Sequence, residues 1–174
     1  MNILGNDVQS DGFTACGRRI MRHSGSVNGI YYVDVKNDIV DPQRRSQIDM
    51  FVKGKVFCHS ITGGVPDFTL EAGSVSLDRD TKAGKYMVTI KEDMTFWCVE
   101  NKPSSISKES VSALKLAPGE SITIPFDQGH KLFLCDGTLA SGNSSVSGPV
   151  EVNSTAPKTL TAVTQCYGFV FIPR

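Results

Sequence analysis

An excess of charge of either sign is missing from this sequence: across 174 residues, 18 Lys and Arg stand against 18 Asp and Glu. A neutral balance argues against a chain whose main work is gripping nucleic acid or an anionic membrane. Long apolar runs are missing too. No stretch of about 18 apolar residues could span a bilayer. Met1-Asn2-Ile3-Leu4-Gly5-Asn6-Asp7 has neither the basic start nor the apolar centre of a secretory signal, so the expectation is a soluble protein made in a cytoplasm. Helical periodicity is nearly absent. Only residues 105 to 116 mix polar and apolar positions over enough length for a turn or two of helix, and their serines favour strand edges and turns.

The motifs of common chemistry are also lacking. Gly84-Lys85 has no upstream Gly and no following Ser or Thr, so it is not a P-loop, and no GxGxxG opens a helix. A GxSxG nucleophile elbow is absent, and three histidines leave little material for a Ser-His-Asp set. The five cysteines, Cys16, Cys58, Cys98, Cys135 and Cys166, form no CxxC pair, which excludes a zinc knuckle or a thioredoxin-like redox pair. Settings such as Phe57-Cys58 and Trp97-Cys98-Val99 read as small apolar residues in strands. Asn143-Ser-Ser and Asn153-Ser-Thr match glycosylation acceptors by chance in a Ser-rich stretch.

What is present is strand material. Hydrophobic residues make up 40% and charged ones 21%, enough to close a core. Short runs rich in Val, Ile, Thr and aromatics recur at 30–35, 50–61, 86–90, 95–99, 111–116, 121–124, 131–135, 160–163 and 167–172. Turn signals separate them: Gly63-Gly64, Ala83-Gly84, Pro118-Gly119 and Asp136-Gly137, the last reading as a hairpin. The pattern predicts an all-β sandwich or barrel. Period-2 placement predicts a shared interior for Ile122, Ile124, Leu132, Leu134, Val170 and Ile172. Residues 1–28 are polar and Gly-rich and read as an irregular N-terminal arm, leaving 29–174 as the β domain. Residues 140–158 read as a long polar loop, interrupted at most by Val150, Glu151 and Val152. Arm and loop are expected to carry subunit contacts. The basic cluster Arg18-Arg19-Ile20-Met21-Arg22-His23, with Arg44-Arg45 second, reads as a solvated face, or else as a contact for an anion or acidic partner.

One stretch has an ordered motif: Gly119-Glu-Ser-Ile-Thr-Ile-Pro125-Phe-Asp127-Gln-Gly-His130. It resembles the second motif of the cupin family, with Gly119, Pro125 and His130 at the matching places. It departs at Asp127, where the family has Gly, and at Leu134, where the family usually has Asn. The first cupin motif has Gly54 and His59 as its nearest counterparts, one residue short in spacing and with Ile61 where a second His belongs. A metal needs about three protein ligands, so no metal, cofactor or catalytic residue is assigned. The run 116–125, Lys131 to Gly137 and the ending Thr164-Gln-Cys-Tyr-Gly-Phe-Val-Phe171 also resemble cupin-like accessory proteins of tailed bacteriophages. That resemblance implies an all-β, cupin-like jelly roll used for assembly. It implies a homo-oligomeric, non-enzymatic virion component, such as a capsid decoration or head/tail accessory protein. Its partners would be capsid or tail structural proteins, without direct contact to nucleic acid or membrane. Two other readings stand beside it. One is a metal-dependent cupin enzyme with His130 and His59 as ligands and a small polar substrate. The other is a sugar-binding sandwich, which needs Trp97, Tyr31 or Tyr32 exposed.

Overall fold

The computed structural model describes residues 2–4, 8–35, 46–61, 66–77, 84–100 and 109–174. They form strands joined by turns, with one 3-10 turn at Phe126–Gln128. The chain divides into two compact units, 1–14 with 18–103 and 15–17 with 104–174.

The first unit holds β1 (Asn2–Leu4), β2 (Val8–Ala15), β3 (Arg18–Gly25), β4 (Ile30–Val35), β5 (Ser46–Ser60), β6 (Phe68–Glu71), β7 (Val75–Leu77) and β8 (Gly84–Glu100) in one antiparallel sheet. The two long strands, β5 and β8, pair along nearly their whole lengths. β4 lies along Gly84 to Thr89 of β8, and β3 along Met94 to Val99. On the far side of β5, β7 pairs with Ile48 to Met50 and β6 with Lys55 to Cys58. Each long strand therefore serves two half-sheets. Between the halves the β5–β8 register shifts repeatedly from Phe51 to Val56. Gly54 sits there at φ +83, and a Cβ on it would lie 2.3 Å from the Asp93 carbonyl oxygen, so no other residue fits this bulge. One core joins both halves: Phe51 and Phe96, stacked at 5.0 Å, pack with Met94, Val56, Val88, Ile90 and Tyr31. Residues of both halves thus share one buried apolar cluster.

This differs from the expected irregular arm at residues 1–28. β2 and β3 are regular strands paired with each other, and β3 pairs with β8. The unit boundary falls near 103, not near 28. β2 hides because it is an edge strand, exposed at most positions. β3 hides because two of its buried residues are Arg18 and His23. The runs at 86–90 and 95–99 are one strand, in which Lys91-Glu92-Asp93 occupies the bend. Arg44-Arg45 and Gly63-Gly64 lie outside the described residues.

The second unit holds β9 (Glu109–Leu116), β10 (Ser121–Ile124), β11 (Lys131–Asp136), β12 (Thr138–Ser141), β13 (Ser144–Ser147), β14 (Val150–Val152), β15 (Lys158–Ala162) and β16 (Cys166–Pro173). They form two four-stranded sheets, ordered β14-β11-β16-β9 and β10-β15-β12-β13. Every connection except β12–β13 crosses from one sheet to the other, which is jelly-roll topology. Ile124, Leu132, Leu134 and Val170 are buried in one cluster, with Ile122 and Ile172 packed against it, as their spacing predicts. Burying a Leu or Ile of this kind contributes about 1.5–3 kcal/mol.

Two expectations change here. Asp136-Gly137 closes no hairpin: β11 and β12 belong to different sheets, and the turn carries the chain between them. Gly137, at φ +95, has the Gln165 carbonyl oxygen 2.3 Å from where a Cβ would sit. The hairpin lies instead within the expected loop at 140–158, where β12 and β13 pair in a four-residue register. Ser-Ser-Val-Ser reads as loop because β13 is exposed throughout and shows no apolar alternation.

Candidate functional site

Of the motif-matched residues, His130 directly precedes β11 and is half-buried. Its Nδ1 is buried without a hydrogen-bond partner among the described residues. His59 falls in the other unit, on β5, where its Nδ1 lies 3.0 Å from Asp67 Oδ1. Hydrogen bonds from His59 and from the Ser60 N–H hold the Asp67 carboxyl below the ordinary carboxylate range. The two histidines thus have separate local settings.

The third histidine is the buried one. His23 lies against Phe96 at 4.7 Å between ring centroids, with Ser10 Oγ 2.7 Å from Nδ1 and Cys98 Sγ 3.6 Å from Nε2. The set has the composition of a Ser/Cys–His nucleophilic site, but its electrostatics run the other way. Burial lowers the His23 pKa to about 4, and burial pushes the Cys98 thiol well above its ordinary value. A neutral imidazole beside a protonated thiol in an apolar setting is a packing arrangement. The remaining thiols are buried as well and form no disulfide. Cys16 is the one outside a strand, at φ 54 in the β2–β3 turn. In the second unit its N–H donates to Glu151 Oε2 at 2.9 Å, while Lys131 Nζ donates to its carbonyl at 3.4 Å. Burial and the Glu151 carboxylate push its thiol up to about 12. Burial likewise raises the thiols of Cys58 and Cys166, which works against attack by any of these four sulfurs.

The basic cluster is mostly consumed internally. Arg18 is buried and donates to Gln47 Oε1 at 2.6 Å and to the Glu100 carbonyl at 2.8 Å. Arg22 meets Asp11 at 2.8 Å and lies over the rings of Phe13 and Trp97. Arg19 reaches Glu100 at 3.4 Å. Of the three aromatics, any one of which could serve a sugar site if exposed, Trp97 and Tyr31 are buried and Tyr32 is exposed. One open polar recess of about 260 Å³ occurs in the first unit near the bend, lined by Gln9, Ser24, Ser26, Lys53, Asp93 and Thr95. Asp93 there accepts the Val27 N–H at 2.7 Å.

The surface with the most distinctive chemistry went unread in the sequence. On β10, β12, β13 and β15, alternation places Leu139, Leu160 and Ile124 inward and only Ser, Thr and Ala outward. The hydroxyls pair across strands: Ser121 with Thr161 at 2.7 Å, Thr123 with Thr159 at 2.9 Å, Thr138 with Ser147 at 2.8 Å. The result is a neutral hydroxyl face ending at β13.

No family model and no curated sequence matches the chain. Solved structures do. A cupin 2 conserved barrel domain protein from Leptotrichia buccalis is similar over 100% of this chain and 92% of its own, at a TM-score of 0.53 and 11% identity. The fold is a cupin-like jelly roll. HutD from Pseudomonas fluorescens SBW25 is similar over 99% of this chain and 98% of its own, at 0.51 and 7%. The bacterial pirin YhhW from Escherichia coli, solved in complex with nickel(II), is similar over 97% and 93%, also at 0.51 and 7%. At these identities the likeness is one of fold. Among the described residues, the donors do not make up a metal centre. The interior of the second unit is filled by Leu116, Ile124, Leu132, Leu134 and Val170, and no three His, Cys, Asp or Glu cluster among the described residues.

Proposed function

We propose that this protein works through its surfaces, as a homo-oligomeric structural or binding module of a tailed-phage particle. It decorates the capsid or joins a head or tail assembly, with capsid or tail structural proteins as partners. The observation that carries this reading is the closed apolar interior of the second unit, where a binding fold of this type would keep its chemistry. The neutral hydroxyl face supplies a contact surface instead, and the sequence resemblance at 116–137 and 164–171 supplies the phage context. Such a protein is made in the host cytoplasm and ends on the virion.

The test is binding of the purified full-length chain to particles that lack it. Saturable binding is the expected result. Absence of binding to capsids and tails alike, or measurable turnover of a small substrate by the chain, overturns it. Deleting residues 1–28 is not a clean variant, because it removes the paired strands β2 and β3. Substitutions on the exposed β13 are the better probe.

One observation favours the competing reading, a metal-dependent cupin enzyme: the buried, unpartnered Nδ1 of His130. Elemental analysis decides between the two. One tightly held iron, manganese, nickel or zinc per chain, lost in His130→Ala, would reverse the ranking.

A further inference from the structure

The second unit has four sheet edges, and three carry the devices that block edge-to-edge pairing. β9 bears Glu109 and Lys115, β10 runs into Pro125, and β14 bears Glu151 just after Pro149. β13 is Ser144-Ser145-Val146-Ser147, uncharged, free of proline and exposed at all four residues.

The direction of its free backbone groups follows from the hairpin. β12 and β13 are joined by Gly142-Asn143, with Gly142 at φ +59, and pair as Ser141↔Ser144, Ala140↔Ser145, Leu139↔Val146 and Thr138↔Ser147. A two-residue hairpin closes on a hydrogen-bonded pair, and bonded and non-bonded pairs alternate from there. Ser144 and Val146 therefore bond to β12. The N–H and C=O groups of Ser145 and Ser147 point away from it, towards the free edge.

We infer that β13 pairs antiparallel with β13 of a second copy of this chain, joining two four-stranded sheets into one. This rests on the homo-oligomeric reading above and assigns its interface. A twofold axis perpendicular to the sheet keeps inner faces aligned, so only residues of the same parity can oppose each other. Centred on Val146, it sets Ser145 against Ser147 of the second copy and Ser147 against Ser145, using all four outward groups of each strand. Val146 then meets Val146 at a non-hydrogen-bonded position, where opposing side chains come closest. Val146 lies opposite the inward Leu139 and is 36% exposed, so the pairing covers it. No charge opposes its own image on this strand, and each chain is neutral at 18 against 18. Both facts select a second copy over a partner chosen by charge.

The experiment uses the full chain, with sedimentation measured from micromolar to hundreds of micromolar. A reversible dimer is expected. Ser145→Pro removes an outward N–H without touching the β12 ladder, and the dimer dissociation constant should rise about tenfold or more. Val146→Cys should cross-link to itself on mild oxidation, whereas Ser145→Cys should not, because its mate is Ser147. The five native thiols are buried and do not compete. Circular dichroism verifies the fold of each variant, and the cross-link remains informative if the proline variant misfolds. A chain monomeric at every concentration overturns both this inference and the homo-oligomeric reading. An oligomer that is indifferent to Ser145→Pro and shows no Val146→Cys cross-link overturns the inference and leaves that reading standing. Cross-linking through Ser145→Cys instead overturns the assigned pairing.

Discussion

The two units reach a closed core by opposite routes. The second alternates short strands between two sheets, so its turns do the folding and its side chains keep a plain inside and outside. The first uses one sheet and two long strands, and bends them in the middle. The second buries an almost purely apolar cluster, whereas the first buries Arg18, His23 and Asp49 within its sheet. Polar groups buried within that sheet need partners inside the protein, as Arg18 has in Gln47 and the Glu100 carbonyl. Routing by turns places the demand on glycines at corners. Routing by a bend places it on one bulge and on buried polar contacts.

The corner and bulge glycines give the largest expected effects. Gly137→Ala and Gly54→Ala each force a Cβ to within 2.3 Å of a backbone oxygen at positive φ, and each should cost more than ~3 kcal/mol in urea unfolding. Gly119→Ala, also at positive φ but with nothing within 4 Å of the added Cβ, should cost only ~1–2 kcal/mol. Equal losses at all three would break the distinction between crowded and open turns. Next comes the apolar core: Leu132→Ala, at a fully buried position, should lose about 3 kcal/mol.

A smaller, pH-dependent effect marks the first unit. The His23 pKa falls from 6.5 to about 4 on folding, so between those values the unfolded chain holds the extra proton. Stability is therefore full above pH 6.5, falls as pH drops towards 4, and changes little below that from this group. The slope should approach ~1.4 kcal/mol per pH unit, for a total of ~3 kcal/mol. Denaturant midpoints across that range check it, and His23→Phe should flatten the slope. An unchanged slope in that variant would move the polar burden elsewhere. The smallest effect belongs to the exposed His59–Asp67 pair. Asp67→Asn should leave Tm unchanged within error, because solvent screens a pair of this kind.

The second unit was far more legible in sequence than the first, for a physical reason. Its inward residues, such as Ile122 and Ile124 or Leu132 and Leu134, are apolar at period two, and all meet in one cluster. The apolar runs at 30–35 and 121–124 coincide with β4 and β10. In the first unit, β3 buries Arg18 and His23, so burial and hydropathy disagree. The bend in β8 is a run of three charged residues and mimics a loop. β13 was missed because an edge strand open on both faces has no reason to alternate. Half a cupin motif pointed to the fold, but its chemistry did not follow, since Gly119 and Pro125 shape a turn whatever lies inside it. The hydroxyl face left no linear trace. Its pairs, such as Ser121 with Thr161, are 40 residues apart.

That face has a consequence for the medium the protein can work in. Its outward side chains carry no formal charge, and several hydroxyls are already engaged with one another. It therefore gathers no ion atmosphere to be shed on contact. Screening over the ~8 Å Debye length of physiological saline has nothing there to weaken. A contact made on that sheet keeps its grip from dilute buffer to brine, while the ion pairs Arg22–Asp11 and Lys55–Glu71 of the first unit fade.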